Sequence, residues 1–383
     1  MRVALVHDWL NGMRGGEKVF EVLCELYPDA DVHTLFYESE KVSPLIRAMR
    51  VIEHPLPRHF TALRKRYRYM LPFLPKMAES LPIKGYDLII STSHCVAKGI
   101  IATPADTPHI CYCFTPMRYI WEKYDDYFGE KRGLVARLLP HLRKALQEWD
   151  VSSANRVTHF LTSSHFVRGR IREHYLREAQ VIPAPVDYQP FASAERDPRE
   201  FFLVVSALEP YKRVDVAVEA FRKLGLPLKI AGSGSLADKL KAGAPPNVEF
   251  LGWVSDAELI GLYSTARAVI FPSDEDFGIV PLEAAAAGCP VIAFEGGGAL
   301  ETVVDQETGI FFSKQTPESL IEAIECFNPD EFPCETLREH AEIFDRENFK
   351  RRLGAAITRL ALGPTSPTGS MVSIAVPTAA TSS

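Results

Sequence analysis

Short apolar strings joined by helical patterns occur twice along this chain, with a fresh start at Phe201, and this doubled alternation restricts the fold more than any other feature. In the first half, RVALV (2–6) runs through NGMRGGEK into VFEVLCELY, whose apolar residues recur at helical spacing. DLIIS (87–91), HICYC (109–113) and HFLTSS (159–164) follow, separated by helical patterns such as LVARLLPHLRKALQEW. From Phe201 the order is FFLVVS, RVDVAVEAFRKL, PLKIAG, VEFLG, DAELIGLYSTA, AVIFPS, PLEAAAA and PVIAF, with short connections. Strands alternating with helices pair in parallel and are covered on both faces, so each half predicts a doubly wound α/β unit.

VIPAPVDYQPFASAERDPRE carries four prolines and reads as the connection between the two units. The expected organisation is a domain over residues 1–190, a second over 191–345, a helix over 346–362 packing back on the first domain, and a disordered tail over 363–383. A chain of 383 residues has room for two such domains, and 46% hydrophobic with 24% charged residues is ordinary for a folded protein. The formal net charge of −6 gives no global reason to bind nucleic acid. Seven cysteines, odd in number and without a Cys-x-x-Cys pair, read as reduced core residues. MRVALVHDW has too short an apolar core for a signal peptide, and no apolar run approaches the ~20 residues of a membrane span. The expected location is cytoplasmic, with at most peripheral membrane contact.

Doubly wound domains bind ligands at the carboxyl ends of their strands, which makes a cleft between the two domains the expected site. SDEDFGIVPLEAAAAGCPVIA (273–293) carries its densest chemistry. Pro281 suits a helix start and the Ala run favours helix, which puts Glu283 in the first turn and Glu275 on the preceding loop. Between them, Phe277, Gly278, Ile279 and Val280 present backbone N–H groups at a helix N-terminus, where an anion is favoured. Taken singly, Glu283 also reads as a carboxylate answering the helix dipole, and Asp274 and Asp276 as turn residues. DED mimics the Asp-x-Asp of metal-dependent sugar transferases, but the amide-rich turn supplies anion binding without a metal, so no metal site is expected.

PSDEDFGIVPLEAAAAGCPVIA resembles the Glu-x7-Glu signature of the retaining glycosyltransferases of family four. GMRGGEK, CFTPMRYIWEKY, VSALEPYKRVDVAVEAF, AGSGS, LGWVSDAEL and GGALETVV fall in that family's order, over roughly residues 1–355. The resemblance implies the α/β GT-B fold, two Rossmann-like domains facing across a cleft. It also implies roles by position: Glu275 contacts donor-sugar hydroxyls, Glu283 binds the ribose hydroxyls, and the Phe277–Val280 amides meet sugar and diphosphate. Lys212 matches the phosphate-binding lysine, with Arg213 a substitute for an arginine where this chain has Ala207. Gly15 and Gly16 bring backbone amides near donor phosphates or acceptor, and Val254 and Asp256 lie where the nucleobase is held. Asp256 also reads as a helix N-cap.

Related sequences place a histidine where this chain has Phe114; His94 in STSHCVAKG either reaches the same cleft from another strand or is structural. Lys98 and Arg118 are weaker cleft candidates. The resemblance implies a front-face reaction in which the leaving phosphate takes the acceptor proton, with no metal or other cofactor. GDP-mannose is the leading donor. The acceptor is expected to be a glycan or a polyprenyl-diphosphate-linked sugar in surface polysaccharide assembly. The alternatives are a UDP-sugar transferase with a soluble acceptor, or a non-catalytic nucleotide-sugar-binding scaffold. Residues 57–78 carry Arg58, Arg64, Lys65, Arg66, Arg68 and Lys76 among aromatics with no acidic residue. Such a stretch suits an anionic membrane surface or, equally, a solvated basic helix.

Overall fold

Apolar strings bounded by glycine and polar turns become strands buried on both faces, as VALVH (Val3–His7) and LIISTS (Leu88–Ser93) are along their whole length. The computed structural model describes residues 1–59, 70–124 and 133–362. The middle of the basic stretch, residues 60–69, and the tail, residues 363–383, therefore lie outside the described residues.

Seven parallel strands build the first sheet: β1 (Val3–His7), β2 (Asp31–Thr34), β3 (Arg50–Glu53), β4 (Leu88–Ser93), β5 (His109–Cys113), β6 (His159–Thr162) and β7 (Ala179–Val181). Their spatial order is β3-β2-β1-β4-β5-β6-β7. Six further parallel strands, β8 (Phe202–Val205), β9 (Leu228–Ala231), β10 (Val248–Gly252), β11 (Val269–Phe271), β12 (Val291–Phe294) and β13 (Gly309–Phe312), form the second in the order β10-β9-β8-β11-β12-β13. Both sheets reverse winding direction between adjacent strands, β1 beside β4 and β8 beside β11. In such sheets a crevice opens at the carboxyl ends there, which places the residues just after β1, β4, β8 and β11 at its rim.

Seven helices position the site: α1 (Gly15–Leu26), α2 (Gly133–Ala154), α3 (His165–Tyr175), α4 (Val214–Leu224), α5 (Asp256–Thr265), α6 (Ile279–Ala286) and α7 (Arg346–Leu362). α6 is buried from Pro281 through Ala286, and its small side chains let it sit inside the second domain rather than on its surface. α7 follows the second sheet in sequence but places Phe349, Leu353, Ala356 and Ile357 in the core cluster of the first. Burying such a side chain stabilises by about 1.5–3 kcal/mol for the larger ones. Arg346 adds pairs to Glu21 at 3.0 Å and Glu25 at 2.6 Å on α1. The same cluster takes in Phe277 and Leu282 from the second domain, so the hydrophobic contact runs across the domain boundary.

All seven cysteines are unpaired and five are buried. No helix among the described residues is long and apolar enough to cross a membrane.

Candidate functional site

The loop from Pro272 to Gly278 leaves the carboxyl end of β11 and turns into α6 through Gly278, which caps the helix with φ of 87°. A side chain there would be strained, and its Cβ would stand 3.1 Å from the Thr302 hydroxyl, so glycine keeps the turn and leaves the α6 amides open. Beside this N-terminus, Glu275 Oε1 lies 2.5 Å from Lys212 Nζ and accepts the Ser273 hydroxyl at 2.8 Å. Burial works against the charge on Glu275. The Lys212 ammonium, reinforced by the Ser273 hydroxyl, nevertheless holds its carboxyl below the usual glutamate range. Lys212 comes from the short turn Pro210–Lys212 after β8, so the switch point of the second sheet, between β8 and β11, delivers both partners to one place.

Glu283 lies one turn into α6, 7% exposed, and accepts the Tyr263 hydroxyl at 3.1 Å. Lys18, just past Gly15 and Gly16 at the start of α1, reaches from the first domain to within 3.9 Å of Glu283 and 2.9 Å of Asp187. Burial dominates at Glu283 and raises its carboxyl above the usual range despite the Lys18 charge. The GGEK string gives Lys18 no marker beyond its closeness to the glycines. Asp187 lies in the Pro-rich connection, read as a linker.

Across the cleft, Asp8 follows β1, and its buried carboxylate accepts four backbone N–H groups, from His94, Cys95, Val96 and Ala97, at 2.7–3.0 Å. It also lies 3.2 Å from His94 Nδ1. Burial first, with Arg118 adding to it against Asp8, keeps the imidazole below the usual histidine range and therefore neutral at pH 7. Asp8 selects the tautomer protonated on Nδ1, leaving Nε2 as an acceptor. The His94 ring packs against Trp9 at 4.6 Å and lies 6.5 Å from Phe114. Phe114 in turn covers Gly16, where an added Cβ would meet the ring at 3.3 Å. Asp8 carries no sequence signal, because its partners are 86–89 residues away.

Three expectations need correction. Lys98 is not a cleft residue: it is 1% exposed and bonds to Asp150 at 2.8 Å and the Ser153 hydroxyl at 2.7 Å, inside the first domain. Asp256 is not the helix cap; Ser255 caps α5 in a capping box with Glu258, and Asp256 is the first helical residue, two positions after Val254. Asp276 is not a free turn carboxylate, since Arg118 lies 2.5 Å from one oxygen and Arg170 pairs with the other. Arg213 turns toward Asp215 at 3.2 Å and the Gln315 carbonyl at 3.2 Å. Among the described residues, no group of three or more His, Cys, Asp or Glu side chains is arranged to hold a metal ion.

The site thus sets a cation, a carboxylate and open helix amides on the second domain against a glycine turn and a neutral imidazole on the first. Such a set binds an anion, clamps hydroxyl groups and stabilises negative charge on a leaving group.

The chain is similar to known proteins in sequence and fold. Residues 13–189 match the model described as Glycosyltransferase Family 4, and residues 186–344 match Glycosyl transferases group 1. A glycogen synthase of Mycobacterium tuberculosis is 32% identical over 51% of this chain and 51% of its own length. An O-antigen chain mannosyltransferase C of Escherichia coli is 33% identical over 34% of this chain and 38% of its own. The chain thus spans about half or less of the length of these curated relatives. The Anabaena protein HepE, crystallised with UDP and glucose, superposes with a TM-score of 0.65 at 15% identity, over 94% of this chain and all of that one. With the fold shared across nearly the whole length and the two domains matching glycosyltransferase models in turn from residue 13 to residue 344, this chain has the GT-B fold and is similar to glycosyltransferases of family 4.

Proposed function

We propose that the protein is a retaining hexosyltransferase that takes its sugar from a nucleotide sugar, with GDP-mannose the leading donor. The acceptor is a lipid-linked or polysaccharide glycan of the cell surface. The observation that carries this reading is the Lys212–Glu275 pair, 2.5 Å apart at the open N-terminus of α6. In the proposed reaction the diphosphate lies against the α6 amides and Lys212, while Glu275 and Glu283 accept hydroxyl hydrogens from sugar and ribose. The acceptor hydroxyl attacks on the face from which the diphosphate leaves, and its proton passes to the leaving phosphate oxygen. The protein's part is then positioning and stabilisation of charge on that oxygen. Residue types around the cleft support this division, since Lys212 and the helix amides already concentrate positive potential without a bound ion. Among the relatives, the mannosyltransferase favours the mannosyl donor.

The test is incubation of the purified protein with GDP-, UDP- and ADP-sugars and a lipid extract, with the released nucleotide and the product anomer followed by NMR. Release of GDP with an α-linked product supports the reading. Release of UDP alone replaces the donor, and nucleotide binding without transfer or hydrolysis replaces the enzyme with a binding protein.

A further inference from the structure

Asp276 follows Glu275 directly, yet it faces the other domain. Arg118 lies 2.5 Å from one carboxylate oxygen, Arg170 pairs with the other, and the Asp276 carbonyl accepts the Ser164 hydroxyl at 2.5 Å. Arg170 is aimed by Glu122, 3.4 Å away, which also meets His174 at 2.7 Å. Nearby, Glu301 reaches out of the second domain and accepts the backbone N–H groups of His165 and Phe166 at 2.8 and 2.9 Å. A carboxylate from one domain therefore caps the α3 helix of the other.

These two grips belong to one rigid piece. Gly298 N donates to the Glu275 carbonyl at 2.7 Å, and a side chain at Gly297 or Gly298 would overlap the backbone of Glu275 or Phe277. Glu301 follows Gly298 by three residues, so the Glu275 loop and the Glu301 segment are seated backbone to backbone. The contacts that hold Glu275 to Lys212 and Ser273 lie within the second domain. The contacts of Asp276 and Glu301 cross to the first.

We propose that Asp276 is a positioning residue: gripped by Arg118 and Arg170 when the domains close, it fixes where Glu275 stands, so that closure and completion of the donor site are a single event. The proposal rests on the donor-site reading of Glu275. A solvated turn carboxylate needs no partner, whereas both side-chain oxygens and the carbonyl of Asp276 are engaged by the opposite domain. Opening the cleft releases Asp276 and Glu301 together and leaves Glu275 paired with Lys212, but no longer held in place against the first domain. Nucleoside diphosphate binding is then largely independent of Asp276, and turnover depends on it.

The experiment uses the full chain with Asp276→Asn, Arg170→Gln, their combination, and Asp276→Glu. The expected result is a fall in kcat of about tenfold or more in each of the first two. The double variant falls no further than the worse single one, and Asp276→Glu recovers part of the loss. Calorimetric Kd values for GDP and UDP change by less than about threefold, because their contacts lie on the second domain. Amide hydrogen exchange rises at residues 164–167 and 276–280. Unchanged kcat, losses that multiply in the double variant, or nucleotide affinity falling in step with turnover would each overturn the proposal. If the wild type transfers no sugar, the proposed function fails, and the exchange measurement still decides: increased exchange in both segments supports the closure device, and unchanged exchange overturns it.

Discussion

Lys18 of the first domain lies 3.9 Å from Glu283 of the second, with Asp187 of the connecting segment 2.9 Å from the same ammonium. Three parts of the chain meet at that one nitrogen, and under the proposed function Glu283 also accepts the ribose hydroxyls.

Removing the carboxylate should therefore weaken nucleotide binding before it affects anything else. Glu283→Ala is expected to raise the Kd for nucleoside diphosphates by about 10- to 100-fold, the range for a lost hydrogen bond to a charged group. The melting temperature should fall modestly as well, because the fully buried Tyr263 hydroxyl loses its acceptor, at a cost of about 1–3 kcal/mol. Isothermal calorimetry with GDP and UDP checks the affinity, and an unaltered Kd removes Glu283 from the site.

Lys212 should affect turnover more than binding. Lys212→Ala is expected to lower kcat by about 10²- to 10³-fold, as for removal of one charge-stabilising donor. Loss of the ammonium also frees Glu275 to titrate higher, since Lys212 is what opposes burial there. The pH–rate profile of the variant should shift its acid limb upward.

Buried neutral histidines make the fold sensitive to acid. Burial lowers His109 and His33 to about 4 and His7 to about 3, from an ordinary value of 6.5. Below pH 6.5 the unfolded chain takes up protons that the folded one does not, so stability falls as pH drops from 6.5 toward 4. Each such group contributes a slope of about 1.4 kcal/mol per pH unit in that window. Urea midpoints at pH 7, 6 and 5 measure this, and equal midpoints would refute it.

Leu353→Ala in α7 should destabilise the first domain although the residue lies beyond the second sheet in sequence. Leu353 is fully buried, and truncation of such a leucine costs about 2–5 kcal/mol. Denaturant unfolding should show the loss, with amide exchange rising in α1 and β5, which α7 packs against.

The alternation of strand and helix was legible because a parallel sheet covered on both faces needs continuous apolar strands, and that pattern is local. Gly278, Glu275 and Glu283 were legible for a similar reason: a glycine turn, a helix start and two carboxylates lie within nine residues. Asp8, Lys18, Asp276 and Glu301 were not, since each acts on partners in distant segments, and an isolated acidic or basic residue in sequence reads as solvated. Lys98 misled in the opposite direction. Its position just after β4 suggests the cleft, but Asp150 on α2 draws it into the interior, where Trp121 and Tyr175 complete the carboxylate's bonding at 2.8 and 2.9 Å.

The return of α7 to the first domain sets an order for biosynthesis. Phe349, Leu353, Ala356 and Ile357 close a hydrophobic core whose first strand is made from residues 3–7. As the chain leaves the ribosome, the first domain stays open along α1 and β5 until the entire second domain has been made. The core of the N-terminal half is thus completed last, by the segment of the described chain that is synthesised last.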